Sequence, residues 1–374
     1  MTPKPLRILH LTAGSDAGGV SRYILDLGVA MRDMGHDVAV AGQRGAWHEA
    51  FERSGLEWID ANLKAGPLGL WAESGRLAAH VRHHGVDLLH VHYRKAALAA
   101  RLMQWRLSWR GSTIPVLYTL HLTDMPMGFP RRNLSVFGDC VHVASADARQ
   151  WMIDTANYPA DRIALIPHGI QAERFPVADE AACLLSRHRF NLPETSVVAA
   201  YVGRLDYPKN VDWLLELAQH MPQLHVLLAG GGPDEPKLQA AIRQLDLGSR
   251  VKLLGECDPR PIYAAADVLL LPSLREGFSY VCGEAMSCGR PVLRTRTAGT
   301  TKLIIENVTG RSCAIDRQAF LTAAMDMLSL PRSRLAEMGQ AAAHHIRQSL
   351  RFDQQVAGTV ELYRRLLARP DKAR

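Results

Sequence analysis

Short, nearly unbroken apolar runs alternate with amphipathic stretches along most of the chain. Residues 7–12, 86–92, 115–121, 140–145 and 163–170 are such runs, and so are 197–205, 224–230, 251–257 and 268–272, while 291–300 reads as a strand and then a loop. Runs of this length, without polar alternation, predict parallel strands covered on both faces. Between them, Val20, Ile24, Leu27 and Met31 recur at helical spacing, which predicts a helix over 20–34 that stops at Gly35. Residues 37–42 supply the next strand, so the chain opens as a β-α-β unit of the doubly wound kind. Helices are predicted over 317–329, 331–349 and 352–368. The expected fold class is α/β, and with 374 residues the chain is too long for one core, so two doubly wound domains are expected.

The first strand runs into a glycine-rich loop holding Gly14, Gly18 and Gly19. The spacing is not Gly-x-Gly-x-x-Gly, and the second strand ends in Gly42-Gln43-Arg44 without a ribose-binding acid, which counts against a dinucleotide dehydrogenase. Arg44 facing a 2′-phosphate is what keeps an NADP-linked oxidoreductase as an alternative. The formal charge of +7 suits anionic ligands. The six cysteines show no Cys-x-x-Cys spacing and read as reduced core thiols. No segment approaches the ~20 apolar residues needed to cross a bilayer, and a cytoplasmic chain is expected. No stacking-aromatic motif points to nucleic acid.

The densest chemistry lies between 268 and 297. An apolar strand leads into the loop Arg275-Glu276-Gly277-Phe278, a helix over 281–288 follows, and Gly289 caps it. Glu276 therefore sits at a strand's carboxyl end and Glu284 within the next helix, at the rim where open α/β sheets bind ligands. The unpaired amides that open the helix suit phosphate. Upstream, Arg204 and Lys209 leave another strand end, a planar fork and a point charge fitted to a diphosphate. Taken alone, the two glutamates also fit solvated helix-end charges, and the two cations fit a surface salt bridge.

Glu276-Gly-Phe, then Glu284-Ala-Met, then Gly289-x-Pro291 resembles the signature of retaining, GT-B-type nucleotide-sugar glycosyltransferases of the glycosyl transferases group 1 family. Gly203-Arg204-Leu205 with Lys209-Asn210 resembles that family's phosphate-binding motif. The resemblance implies two Rossmann-like domains facing a central cleft: an acceptor-binding domain over 1–180, a donor-binding domain over 190–350, and a helix in 351–374 crossing back to the first. It places Glu276 beside the donor sugar, Glu284 on the ribose, and Phe278, Ser279 and Tyr280 around the diphosphate and sugar. It also implies that Gly18 and Gly19 let the backbone approach the donor, that His121 faces the sugar, and that Cys257 marks the backbone reading the base. The strand carrying His90 and His92 is expected to turn at least one of them away from any shared site. The implied donor is a nucleotide-diphosphate sugar, UDP-linked by default, and the implied acceptor is a glycan or lipid-linked molecule of cell-surface polysaccharide synthesis. No Asp-x-Asp occurs, so no metal and no cofactor are expected. Residues 94–110 interleave arginines with Trp105 and Trp109, which predicts weak contact with an anionic membrane on its inner face. A non-catalytic nucleotide-sugar-binding module is the second alternative.

Overall fold

The computed structural model describes residues 4–16, 18–123, 136–297 and 300–368. The chain forms two compact units: one comprises the chain up to Pro167 together with the residues from Asp353 onward, the other His168–Phe352.

The first unit holds Arg7–Gly14 (β1), Asp37–Gln43 (β2), Glu57–Asp60 (β3), Leu88–Val91 (β4), Val116–Thr119 (β5), Cys140–Val143 (β6) and Ile163–Leu165 (β7). They form one parallel sheet in the order β3-β2-β1-β4-β5-β6-β7. Its helices are Gly19–Asp33 (α1), His48–Arg53 (α2), Pro67–His84 (α3), Arg94–Ser108 (α4) and Ala146–Asp154 (α5). Helix α1 buries Tyr23, Ile24, Leu27 and Met31, the apolar stripe that its spacing describes. Helix α5 is capped by the Ser145 side chain, which accepts from the Ala148 amide.

The second unit begins with Glu180–Arg189 (α6). It continues through Val197–Val202 (β8), Asp212–His220 (α7), Leu224–Ala229 (β9), Glu235–Gln244 (α8), Val251–Leu253 (β10), Arg260–Ala265 (α9) and Val268–Leu271 (β11). Tyr280–Ser287 (α10), Val292–Thr295 (β12), Thr300–Leu303 (α11), Gly310–Cys313 (β13), Arg317–Leu328 (α12) and Arg332–Ser349 (α13) complete it. Its six strands run β10-β9-β8-β11-β12-β13, again parallel. In both sheets the order reverses beside the first strand, at β1/β4 and at β8/β11, which opens a crevice at the carboxyl ends. The turn after β9 is closed by main chain. A Cβ on Gly230, whose φ is +128°, would fall 1.9 Å from the Gly203 carbonyl oxygen.

The last helix, Phe352–Ala368 (α14), buries Val356, Val360, Leu362, Tyr363 and Leu366. The division between units falls earlier than the sequence pattern implies. Ile170 bridges to Arg351, and Ile170 and Phe175 join the second unit's core, so 168–180 belongs with the second unit rather than with 1–167. The run over 163–170 is strand only to Leu165, because Pro167 has no amide to give a ladder. No helix among the described residues is long and apolar enough to cross a membrane.

Candidate functional site

In the second unit, β8 and β11 lie side by side and their carboxyl ends deliver two loops to one place. The Leu274 amide donates to the Pro208 carbonyl at 2.8 Å, and the Asn210 side chain donates to the Pro272 carbonyl at 2.9 Å. These bonds lock the Lys209 loop against the Glu276 loop. Lys209 Nζ donates to Glu276 Oε1 at 2.6 Å, and the Ser273 hydroxyl donates to the same oxygen at 3.0 Å. The two charged side chains are 19% and 14% exposed, so the pair is shielded without being sealed. Arg204, more than half exposed, pairs with Asp206 at 2.5 Å. Tyr201 donates to the Arg204 carbonyl at 2.7 Å, and burial, followed by the nearby charges of Glu276 and Asp206, pushes its phenol well up. Arg204, Asp206 and Glu276 are thus gathered around one tyrosine, and Lys209 joins them through Glu276.

Glu276 and Glu284 have separate surroundings. Glu284 sits in α10 at 7% exposure and accepts from the Tyr263 hydroxyl at 3.1 Å. Tyr263, fully buried on α9, has its own ionisation suppressed by burial and by that carboxylate. Ser279 is the residue before α10; it is buried, and its hydroxyl does not cap the helix. Phe278 and Tyr280 pack edge to face at 5.3 Å, and both lie against His168. Cys257 is exposed on the loop after β10. Arg294 on β12 is fully buried, and its Nη1 has no partner among the described residues.

The first unit places Gly18 immediately ahead of α1 at φ +148°, with Gly19 as the helix's first residue. Among the described residues, no atom beyond its chain neighbours lies within 4 Å of where a Gly18 Cβ would stand, so conformation rather than crowding requires glycine there. His121, half-buried, follows β5 and lies against a buried group of His10, His90, His92 and His142. His90 and His92 do not diverge. Residues two apart on a strand share a face, and their ring centroids are 4.4 Å apart. Burial lowers every histidine of the group, His10 and His121 to about 3 and His142 to about 4, so all are neutral near pH 7. One nitrogen each from His10, His90 and His92 lies within 4.8 Å of the others, close enough to share an ion. Those nitrogens are, however, largely committed to protein hydrogen bonds.

Elsewhere on the first unit, α4 exposes Leu98 and Trp105, and Trp109, just after it, is 72% exposed. Helix α3 adds Leu68 and Trp71, which the sequence pattern did not single out. Trp71 and Trp105 are 5.4 Å apart, Trp105 and Trp109 3.8 Å, and the Arg106 guanidinium lies 3.8 Å over Trp71.

Sequence reasoning missed Ser273, Tyr263, Tyr201 and Asp206. A hydroxyl three residues before Glu276 was a usable signal for Ser273. Nothing local marks Tyr263, which reads as core.

Comparison with known proteins places these residues in context. The family model described as Glycosyl transferases group 1 matches residues 196–329, and that described as Glycosyltransferase Family 4 matches 17–174. The chain is 28% identical to the D-inositol 3-phosphate glycosyltransferase of Corynebacterium urealyticum, covering 97% of this chain and 94% of that one. Among solved structures, a glycosyltransferase from Rickettsia africae superposes with a TM-score of 0.82 at 17% identity, covering 98% and 100% of the two chains. Anabaena HepE in complex with UDP-glucose superposes with a TM-score of 0.81 at 22% identity, covering 95% and 99%. The fold is GT-B.

Proposed function

Because the chain belongs to the glycosyl transferases group 1 family and is a glycosyltransferase, we propose that it is a retaining, metal-independent one. It moves a sugar from a nucleoside diphosphate, UDP by default, to a glycan or lipid-linked acceptor in cell-surface polysaccharide synthesis. The observation that carries this reading is the Lys209–Glu276 contact at 2.6 Å between two strand-end loops, with the α10 amides beside it. Lys209 and Arg204 meet the diphosphate, and the amides at Phe278, Ser279 and Tyr280 hold its oxygens and the sugar. Glu284, held by Tyr263, takes the ribose hydroxyls. Glu276, with one oxygen anchored by Lys209 and Ser273, offers the other to the sugar. Gly18 and Gly19 admit the donor's phosphate and sugar close to the backbone, His121 meets the sugar, and the main chain at Cys257 meets the base.

The chemistry asks for two things at once. The bond from the anomeric carbon to the diphosphate oxygen breaks and the leaving group keeps the electron pair. The acceptor hydroxyl attacks from the same face, and its proton passes to the departing phosphate oxygen. Fixed cations and amides stabilise the charge that develops, each worth a few kcal/mol when preorganised, roughly 10²–10³ in rate. A donor of this kind accounts for two paired cations, Lys209 shielded and Arg204 open, without an Asp-x-Asp metal site, and full turnover in excess chelator is expected. That HepE binds UDP-glucose supports the UDP default. The relatives' acceptor, D-inositol 3-phosphate, enters the acceptor screen as a second class.

The exposed Trp71, Trp105 and Trp109 with Arg106 support docking of the first unit at an anionic membrane surface, on its cytoplasmic side. The deciding experiment is a thermal-shift and turnover screen of wild type and Glu276→Ala across nucleotides and nucleotide sugars. Donor binding retained with turnover lost is the expected result. Wild type that binds a donor and turns over none with any acceptor would leave a binding module instead.

A further inference from the structure

A strand covered on both faces has little room for charge, and β12 carries one. All four of its residues, Val292 to Thr295, are buried, and Arg294 is aligned with Leu271 of β11 on one side and Ser312 of β13 on the other. Its side chain is fully buried. A guanidinium does not shed its proton, so the positive charge is buried with it. Nη2 donates to the Thr297 hydroxyl and Nε lies 3.4 Å from the Thr295 carbonyl oxygen, while Nη1 has no partner among the described residues. Neutral oxygens accept hydrogen bonds without cancelling the charge.

Helix α10 packs on β12, and its third residue, Cys282, shows where the charge faces. The fully buried Cys282 thiol responds to Arg294 more strongly than to Glu276 or Lys209, so the guanidinium lies against the first turn of α10 with that ion pair nearby. The Ser279 hydroxyl, buried and without an oxygen or nitrogen partner among the described residues, acts on the same thiol. The same strand end is tied to the Glu276 loop. The Thr295 hydroxyl donates to the Ser273 carbonyl, and the Ser273 hydroxyl donates to Glu276. Nothing here neutralises Arg294. Burial outweighs the pull of the arginine and raises the Cys282 thiol above its ordinary value, so it stays protonated near neutrality. Glu276 is paired with Lys209 and Asp206 with Arg204, and no carboxylate stands within ion-pair distance of Arg294 among the described residues. Two cations are balanced and the third is left over.

We propose that Arg294 is a buried cation whose counter-ion is the diphosphate of the donor, drawn to the first turn of α10 by a charge that does not touch it. That the anion is a donor's diphosphate rests on the function proposed above; the need for an anion does not. Arg294 is a positioning residue. Arg204, more than half exposed, is screened by water, whereas a charge enclosed by protein acts through a lower dielectric and so at longer range. The same burial makes Arg294 a burden on the fold. Replacing a buried charge that has no counter-ion by an apolar side chain of similar volume is neutral or stabilising. Loss of Arg294 should therefore move stability and anion affinity in opposite directions, which an arginine retained only to hold Thr295 and Thr297 would not do.

The test compares the full-length wild type with Arg294→Met, which keeps the bulk, and Arg294→Gln, whose amide still donates to Thr295 or Thr297. Scanning calorimetry gives Tm, and titration calorimetry gives the affinity for inorganic pyrophosphate, UDP and uridine. Arg294→Met is expected to melt at or above the wild-type Tm and to bind pyrophosphate and UDP roughly ten-fold more weakly, with uridine unchanged. Arg294→Gln should lose the same affinity, because it keeps a hydrogen bond and drops only the charge, and it supplies the comparison if methionine is not accepted. With a donor that turns over, kcat/KM should fall at least as far, since the leaving group gains charge as its bond breaks. Pyrophosphate affinity within about two-fold of wild type in Arg294→Gln, equal weakening of UDP and uridine, or a wild type indifferent to pyrophosphate would overturn the proposal. If wild type turns over no nucleotide sugar while pyrophosphate binding still depends on Arg294, the transfer reading fails and the buried cation keeps its role toward an anion.

Discussion

The Lys209–Glu276 pair tests whether the second unit's site was built for stability or for a diphosphate. Lys209→Met keeps the aliphatic stem and removes the ammonium, leaving the Glu276 carboxylate, 14% exposed, with only the Ser273 hydroxyl. A hydrogen bond to a charged group contributes about 1.5–3 kcal/mol, and the residual exposure of both partners keeps the loss at the lower end, about 2 kcal/mol. For a unit of this size that lowers Tm by about 4–8 °C. Glu276→Gln should cost less, about 1 kcal/mol, because the amide oxygen still accepts from Lys209. In the double variant the two losses should fall short of additive, since neither partner is left with an uncompensated charge. Activity should behave in the opposite way. Lys209→Met loses a donor preorganised for the leaving diphosphate, so kcat/KM falls about 10²–10³-fold, and removing Glu276 as well restores none of it. Scanning calorimetry and donor kinetics on the four proteins give the answer. If the double variant regained activity along with stability, or if Lys209→Met left kcat/KM within about two-fold of wild type, the pair would be structural and the phosphate role would fall.

Tyr263→Phe removes the 3.1 Å hydrogen bond that orients Glu284 without opening a cavity. Donor KM should rise about five-fold with kcat little changed, measured by initial rates at varied donor, and an unaltered KM would show that Glu284 needs no such support. The buried histidines make the first unit acid-sensitive. Their folded pKa values lie below the unfolded value, so the unfolded chain binds more protons and stability is lost as pH falls below about 6.5. His142, lowered to about 4, alone contributes about 2 kcal/mol between pH 7 and 5; calorimetry over that range should show one transition moving strongly, and His142→Gln should blunt the shift. Trp105→Ser with Trp109→Ser should abolish sedimentation with anionic vesicles at low salt while leaving turnover of a soluble acceptor intact, and wild type that stays in the supernatant would refute membrane docking.

Much of this fold was legible along the chain because a strand buried on both faces must be written as an uninterrupted apolar run. The runs at 7–12, 197–205 and 268–272 appear as β1, β8 and β11. The elements that escaped are those under weaker local constraint. Strands β3 and β13 are four-residue edge strands whose sequences, Glu57-Trp-Ile-Asp60 and Gly310-Arg-Ser-Cys313, carry too few apolar residues to stand out. Helix α3 is only weakly amphipathic, since it exposes Leu68 and leaves Trp71 half-exposed where it meets α4.

Local order also announced the loop chemistry, since Glu276 and Glu284, or Arg204 and Lys209, need only a strand end and a helix start to reach their places. What each of them touches was decided elsewhere. Lys209 meets Glu276 across 67 positions, Tyr263 reaches Glu284 from another helix, and His10 finds His92 across 82. The reason is the parallel sheet itself: strands adjacent in space are separated in sequence by whole crossovers. The order in which the strands pack, which no local window contains, determines which side chains share a face.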